Sequence, residues 1–383
     1  MTTEAVVAGA GIAGLTAGLA LARRGVKVTV FERSKDPREF GAGIYLKENS
    51  LPVLEQLGVL DKVIANGVPL KAARIVDERG EVIVNRRFTE ERMITVLRRE
   101  LHNSLREAAV DAGVELVTDK MVVAAKPEGV LVFADGSQVR ADLVIGADGV
   151  RSRVRESLGL TKSYRTMEDG ATRLLIPRQE EPMGTEYWAG NKRIGVAPCS
   201  PDQTYVFMIG PEQDRQLRRL PVDTEYWSTF FPQLGHVFDR ITDDAGVHHV
   251  HEHVVCKRWV DGRVAMIGDA AHAQPPNLGQ GAGLAMVAAW ELARTVAESR
   301  DVPSALLDWE RRVRPAADRV QKLTTLYSHT GYYWPAPLLG ARAKFFHFLS
   351  VVPVTSQAWE FWWRGGTYAP APRSNAITGP ETD

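Results

Sequence analysis

The glycine turn after the first apolar run restricts the fold of this chain more than any other feature. Ala5 to Ala8 leads into Gly9-Ala10-Gly11-Ile12-Ala13-Gly14. Leu15, Leu19 and Ala22 then recur at spacings of four and three, the period of a buried helix face. Gly25 stands where a left-handed cap is expected. Val26, Val28 and Val30 alternate with Lys27 and Thr29 toward Phe31 and Glu32, which reads as a strand. Strand, turn, helix and second strand form a βαβ unit. Gly9 permits the tight turn, Gly11 lets the backbone approach a pyrophosphate, and Gly14 allows the helix to pack closely on the strand. The helix start turns free N–H groups and a positive dipole end toward phosphate. Glu32, with Arg33 beside it, lies where an acid accepts hydrogen bonds from an adenosine ribose. The unit predicts dinucleotide binding. It does not separate NAD from FAD.

With 383 residues, the chain is long enough for roughly two domains of about 150 residues. Lys plus Arg and Asp plus Glu are 47 each, so the net charge is zero. Proteins that track a phosphate backbone usually carry a basic excess, so nucleic acid is not an expected partner. Cys199 and Cys256 do not make a disulfide framework or a C-x-x-C pair. The N-terminus has no signal-type pattern. Arg342, Lys344 and His347 break the most apolar late stretch, so no spanning helix is expected. A cytoplasmic protein without membrane partners, monomer or homodimer, is the expectation.

Helices are expected over Ser50 to Leu57, Thr95 to Ala112 and Gly281 to Glu298. Another is expected over Ser304 to Tyr327, kinked or restarted at Pro315. Glu115 to Asp135 reads as short antiparallel strands, with a turn at Asp135-Gly136. The expected fold class is α/β plus β: a Rossmann-type dinucleotide-binding domain with an inserted sheet domain and a C-terminal helical segment. The discontinuous nucleotide domain is drawn over 1–70, 95–170 and 258–330, and the sheet domain over 71–94 and 171–257. Residues 331–371 form the helical segment and 372–383 a loose tail.

Two later segments favour FAD. Asp142-Leu-Val-Ile-Gly-Ala-Asp148-Gly149 places a carboxylate at a strand end. Arg263-Val-Ala-Met-Ile-Gly268-Asp269 places another, followed by Pro275-Pro276 and Gly279-Gln280-Gly281. Together with the first turn, these resemble the fingerprints of the class A flavoprotein aromatic hydroxylases, over nearly the whole chain. The resemblance implies that Asp269 holds the ribityl part of FAD and that Arg98 lies near the pyrophosphate. It associates Asp148-Gly149 with FAD and the passing nicotinamide cofactor. Gly281 opens a helix whose dipole favours negative charge on the reduced flavin, and Pro275 and Pro276 form a stiff lip beside the ring.

Within that family, Phe40 to Leu46, Arg173 to Arg178 and Arg193 to Cys199 resemble the 2-methyl-3-hydroxypyridine-5-carboxylate oxygenases. The usual asparagine after Gly-Gln-Gly is here Gly283, and the usual aspartate of the next helix is Ala288. The resemblance implies that Arg193 and Tyr205 bind substrate, that Tyr45 lies near flavin and substrate, and that Arg173 contributes to the same site. It implies use of NAD(P)H and O2 to oxygenate a hydroxylated aromatic or pyridine carboxylate through a flavin hydroperoxide, with ring opening as one outcome. The alternatives are a reductase or cyclase of an apolar substrate and a non-catalytic FAD-binding protein. His249, His251 and His253 share one face of a strand, but no metal is expected in flavin chemistry. Trp334, Trp359, Trp362 and Trp363 are expected to pack a closing helix.

Overall fold

The computed structural model describes residues 3–37, 42–88, 91–178, 183–242 and 246–351. Phe40, Gly41, Trp359, Trp362, Trp363 and the 372–383 tail lie outside them. The strand Glu4–Ala8 pairs in parallel with Lys27–Phe31 on one side and with Leu143–Gly146 on the other. The six-stranded order is Val260–Asp261, Val264–Met266, Leu143–Gly146, Glu4–Ala8, Lys27–Phe31, Glu115–Val117. Its central strands are buried almost continuously, as a parallel sheet covered on both faces requires. Gly25 has φ 78°, the left-handed cap expected after the Ile12–Ala22 helix.

Two expectations need correction, and one alternative is resolved. Glu115–Val117 is not antiparallel: it pairs in parallel with Lys27–Phe31. After Lys27–Phe31 the chain passes through Ile94–Leu97, a strand of another sheet, and the helix Arg98–Asp111 brings it back beside Lys27–Phe31, a long crossover of the kind parallel strands need. The antiparallel strands nearby are Val122–Lys126, Val130–Phe133 and Gln138–Arg140, a separate sheet with Gly136 at φ 81°. The helix does not begin at Thr95, because Ile94–Leu97 is a fully buried strand. Its apolar and β-branched residues gain more from sheet packing than from one more helical turn. Of a kink or a restart at Pro315, the restart is excluded, because the last long helix, Val302–Tyr332, is continuous through it. Arg314 braces that point, bonding Glu310 and the carbonyls of Cys256 and Lys257, with Asp318 at 3.3 Å.

The second large sheet has seven strands. Its order is Val247–Cys256, Thr161–Pro177, Gln203–Pro211, Lys192–Pro198, Gly184–Ala189, Ala72–Val76, Val82–Arg87. The boundary drawn at 170/171 falls inside the continuous strand Thr161–Pro177, whose register shifts between Thr166 and Gly170. Such a bulge bends a strand without ending it. One sheet face, with Leu174, Ile194, Val206 and Met208, packs on Trp227, Phe231 and Val237. The opposite face carries Arg173, Arg193 and Tyr205. No helix among the described residues is long and apolar enough to cross a membrane.

Candidate active site

Gly9, Glu32, Asp148 and Gly268 each follow the C-terminal end of a strand of the parallel sheet. This is where open α/β sheets bind ligands. Gly9 has φ 104°, and a Cβ there would collide with the carbonyl oxygen of Ala147. A Cβ on Gly14 would collide with the carbonyl of Gly9, so only glycine permits the helix this close. Gly11 caps the Ile12–Ala22 helix with extended backbone. Glu32 accepts hydrogen bonds from Ala10 N and Ser34 N, both 2.9 Å, which fixes its carboxylate beside the turn. Arg33 is exposed and Arg98 half-buried. His102, which the sequence did not single out, holds the turn from behind: its Nε2 is 2.8 Å from Ala10 O.

Asp148 divides its tasks. Oδ2 accepts from Arg153 N and Val154 N at 2.8 and 3.1 Å, capping the short helix Arg153–Ser157. Oδ1 is buried without a hydrogen-bond partner. A buried orphan acceptor is costly unless a ligand satisfies it, so a hydroxyl-rich cofactor fits here. Gly149 has φ 82° and Gly268 φ 60°. A Cβ on Gly268 would lie 2.8 Å from that of Ala13. Asp269 is exposed at the start of its helix. Pro276 is exposed beside buried Pro275, Gly279 is left-handed at φ 58°, and Gly281 opens the helix Gly281–Ala297.

The open face of the seven-stranded sheet follows from its register. Directly opposed residues point to the same side. Arg173 opposes Phe207, Leu175 opposes Tyr205, Ala197 opposes Tyr205 and Arg193 opposes Ile209. Arg173, Tyr205 and Arg193 therefore share one face. Tyr45 reaches it from the strand Gly43–Leu46, its ring centroid 6.3 Å from that of Tyr205. Gly43 lies under the Tyr205 ring and Gly195 under the Phe207 ring, where a Cβ would overlap either aromatic. Burial raises the Tyr205 phenol above its ordinary value, although Arg173 and Arg98 oppose it. Burial also raises Tyr45. Both phenols are neutral donors near pH 7.

Arg193 is 4 % exposed and already surrounded by partners. Its Nη2 donates to Asn277 Oδ1 at 2.8 Å. Glu186 lies 3.5 Å from it, Asp169 3.8 Å, and its guanidinium sits 5.4 Å from the Tyr327 ring centroid. Burial opposes ionisation of Asp169, but His251 and Arg193 hold its carboxyl below the usual range. Burial raises Glu186 despite Arg193. The place expected for a substrate carboxylate is thus held by two protein carboxyls. Glu186 was legible in principle: the tight turn at Gly190-Asn191 sets Trp188 opposite Arg193 and Glu186 opposite Gly195.

Two histidines of the strand Val247–Cys256 face protein carboxyls. His248 lies 2.7 Å from Glu212 and 2.9 Å from Thr172, and His251 lies 3.2 Å from Asp169. Among the described residues, no group of three or more His, Cys, Asp or Glu is placed to hold a metal ion.

Residues 2–324 match the family described as FAD binding domain. The chain belongs to this family of flavoprotein monooxygenases. It is 36 % identical to the 2-heptyl-3-hydroxy-4(1H)-quinolone synthase of Mycobacteroides abscessus, covering 89 % of this chain and 95 % of that one. A probable 2-heptyl-3-hydroxy-4(1H)-quinolone synthase of Rhodococcus erythropolis is 37 % identical over 83 % of this chain and 86 % of its own. The solved tetrameric form of 2-methyl-3-hydroxypyridine-5-carboxylic acid oxygenase superposes with a TM-score of 0.81. That pair is 36 % identical, over 85 % of this chain and 91 % of the other. The protein is a class A FAD-dependent monooxygenase with the α/β-plus-β fold the motifs imply. FAD is its cofactor, and NAD(P)H is the co-substrate typical of such enzymes.

Proposed function

We propose that this monooxygenase uses NAD(P)H and O2 to oxygenate a hydroxylated N-heteroaromatic ring, for which a ring carboxylate is not required. The observation that carries this reading is the state of Arg193. Its charge is met by Asp169 and Glu186, so it offers no open cationic seat to an acid. Its role is to tie the sheet to the Pro275–Gly279 lip through Asn277. The polar handles toward a ring are instead Tyr45, Tyr205 and Arg173. Arg173 beside Tyr205 favours negative charge on a ring oxygen, and a ring carrying that charge is activated toward an electrophilic oxygen.

When bound, the flavin supplies the oxygen transfer. In the same proposal, Gly9, Gly11, Gly14, Arg98 and the start of the Ile12–Ala22 helix hold its pyrophosphate. Glu32, with Arg33, holds its adenosine ribose, and Asp148, Gly149, Gly268 and Asp269 its polyol. Pro276, Gly279 and Gly281 line its ring. The relatives' names support the ring class, since one names a hydroxyquinolone and the other a hydroxypyridine.

A second reading keeps the carboxylate and opens the ring. The observation favouring it is Arg173, a half-buried cation on the same face as Tyr205. NAD(P)H oxidation measured with matched pairs of hydroxypyridines and hydroxyquinolines, with and without a carboxylate, separates the two. Equal or greater stimulation by the neutral rings supports the first reading. Stimulation confined to the acids overturns it.

A further inference from the structure

The segment following Gly43 approaches the flavin turn three times, at every second residue. Ring and Cβ atoms of Tyr45 lie 3.7 Å from where a Cβ on Gly279 would stand. Lys47 Nζ donates to Leu278 O at 2.7 Å. Asn49 Nδ2 donates to Gln280 Oε1 at 2.8 Å. The same Asn49 amide fills the space over Gly283, where the three nearest atoms to an added Cβ are its Cγ, Oδ1 and Nδ2 at 2.5–2.6 Å. These partners are separated by about 230 positions in the chain, so the contacts serve tertiary placement.

Lys47 is 5 % exposed, Asn49 4 % and Gln280 2 %. Burying an ammonium and two amides is unfavourable compared with apolar residues of similar size. Stability alone would put Met or Leu here. Leu278 precedes the Gly281–Ala297 helix, and its carbonyl gains a donor in Lys47. Ser50 locks the segment in turn: its Oγ accepts from Lys47 N at 3.1 Å and lies 3.0 Å from Lys47 O.

We propose that Lys47 and Asn49 are positioning residues for FAD, which fix the Leu278–Gly283 turn so that the start of the Gly281–Ala297 helix keeps its cofactor-receiving geometry. The glycine at 283 and the asparagine at 49 act as one device, in which the absent side chain of the first admits the amide of the second.

The test uses full-length apoprotein prepared from the parent and four variants: Lys47→Met, Asn49→Ala, Gly283→Ala and the double Asn49→Ala/Gly283→Ala. FAD affinity is read by titration, apoprotein stability by urea unfolding, and the flavin environment by the absorbance bands of the bound cofactor. The expected result is an FAD Kd raised about tenfold, or about 1.4 kcal/mol, in Lys47→Met and Asn49→Ala, with shifted flavin bands. The apoprotein midpoint of Lys47→Met should be no lower than the parent's. Gly283→Ala alone should weaken FAD binding, whereas on the Asn49→Ala background it should add little, because the added methyl then has room. An FAD Kd like the parent's in both Lys47→Met and Asn49→Ala overturns the proposal. So does a Gly283→Ala effect that is the same on either background. Apoprotein that unfolds in step with lost FAD affinity, or fails to fold, also overturns it, since the residues would then support the fold and not the turn.

Discussion

Arg193 and Asn277 are joined by a 2.8 Å hydrogen bond that links the strand Lys192–Pro198 to the proline lip, 84 positions later in the chain. Through Asp169 the same arginine is connected to Ser328 on the Val302–Tyr332 helix, and it also lies over Tyr327. Sheet, lip and helix therefore meet at one guanidinium. Because it is buried with two carboxyls, its removal strands charge. Arg193→Met should lose about 3–5 kcal/mol of stability, seen as a lower urea midpoint. The added change Glu186→Gln should recover part of that loss. A variant as stable as the parent would show that the network does not hold these elements together.

Asp269 tests the cofactor assignment without disturbing the core. It is exposed, so Asp269→Ala should leave the apoprotein's unfolding free energy within about 0.5 kcal/mol of the parent's. FAD retained after gel filtration should fall to a small fraction. Undiminished FAD content would remove Asp269 from the cofactor site.

Tyr205→Phe probes ring orientation. The ring stays, with its packing on Gly43 and Phe207, and only the hydroxyl beside Arg173 is lost. FAD binding and NAD(P)H oxidation should persist. The yield of oxygenated product per NAD(P)H should fall, with hydrogen peroxide making up the difference, because about 1 Å of misplacement can lower a productive step a hundredfold. An unchanged product-to-peroxide ratio would take the hydroxyl out of the reaction.

Lys47 gives a pH signature. Burial, helped by Arg86, lowers its ammonium from the ordinary 10.5 to about 7. Between those values the unfolded chain holds a proton that the folded chain has released, so stability attributable to this residue rises with pH through that window. The difference in unfolding free energy between parent and Lys47→Met should change by up to about 1.4 kcal/mol per pH unit across it. Parallel stability curves for the two proteins from about pH 7.5 to 9.5 would contradict the lowered value.

The nucleotide half of the fold was legible because its signals are local. Gly9 to Gly14, the Val26–Val30 alternation and the strand-end aspartates at 148 and 269 each read within a short window. Arg173, Arg193, Tyr45 and Tyr205 stand out only by resemblance, since nothing local marks which residues of separate strands come together on one face. What reasoning from the sequence missed depends on long-range register. Lys47 and Asn49 meet partners near residue 280, and Asp169 reaches Arg193 through a sheet whose order no local pattern reveals. The strand at Glu115 departs from expectation because parallel and antiparallel edges look alike in three residues.

The most direct measurement is turnover under labelled dioxygen, with neutral 3-hydroxypyridines and 4-quinolones as substrates and product mass as the readout. The expected product carries at least one oxygen atom from O2, formed in proportion to NAD(P)H consumed, and neutral rings perform at least as well as their carboxylated analogues. NAD(P)H oxidation that yields only hydrogen peroxide with every neutral ring, and labelled product only from the carboxylates, would contradict it.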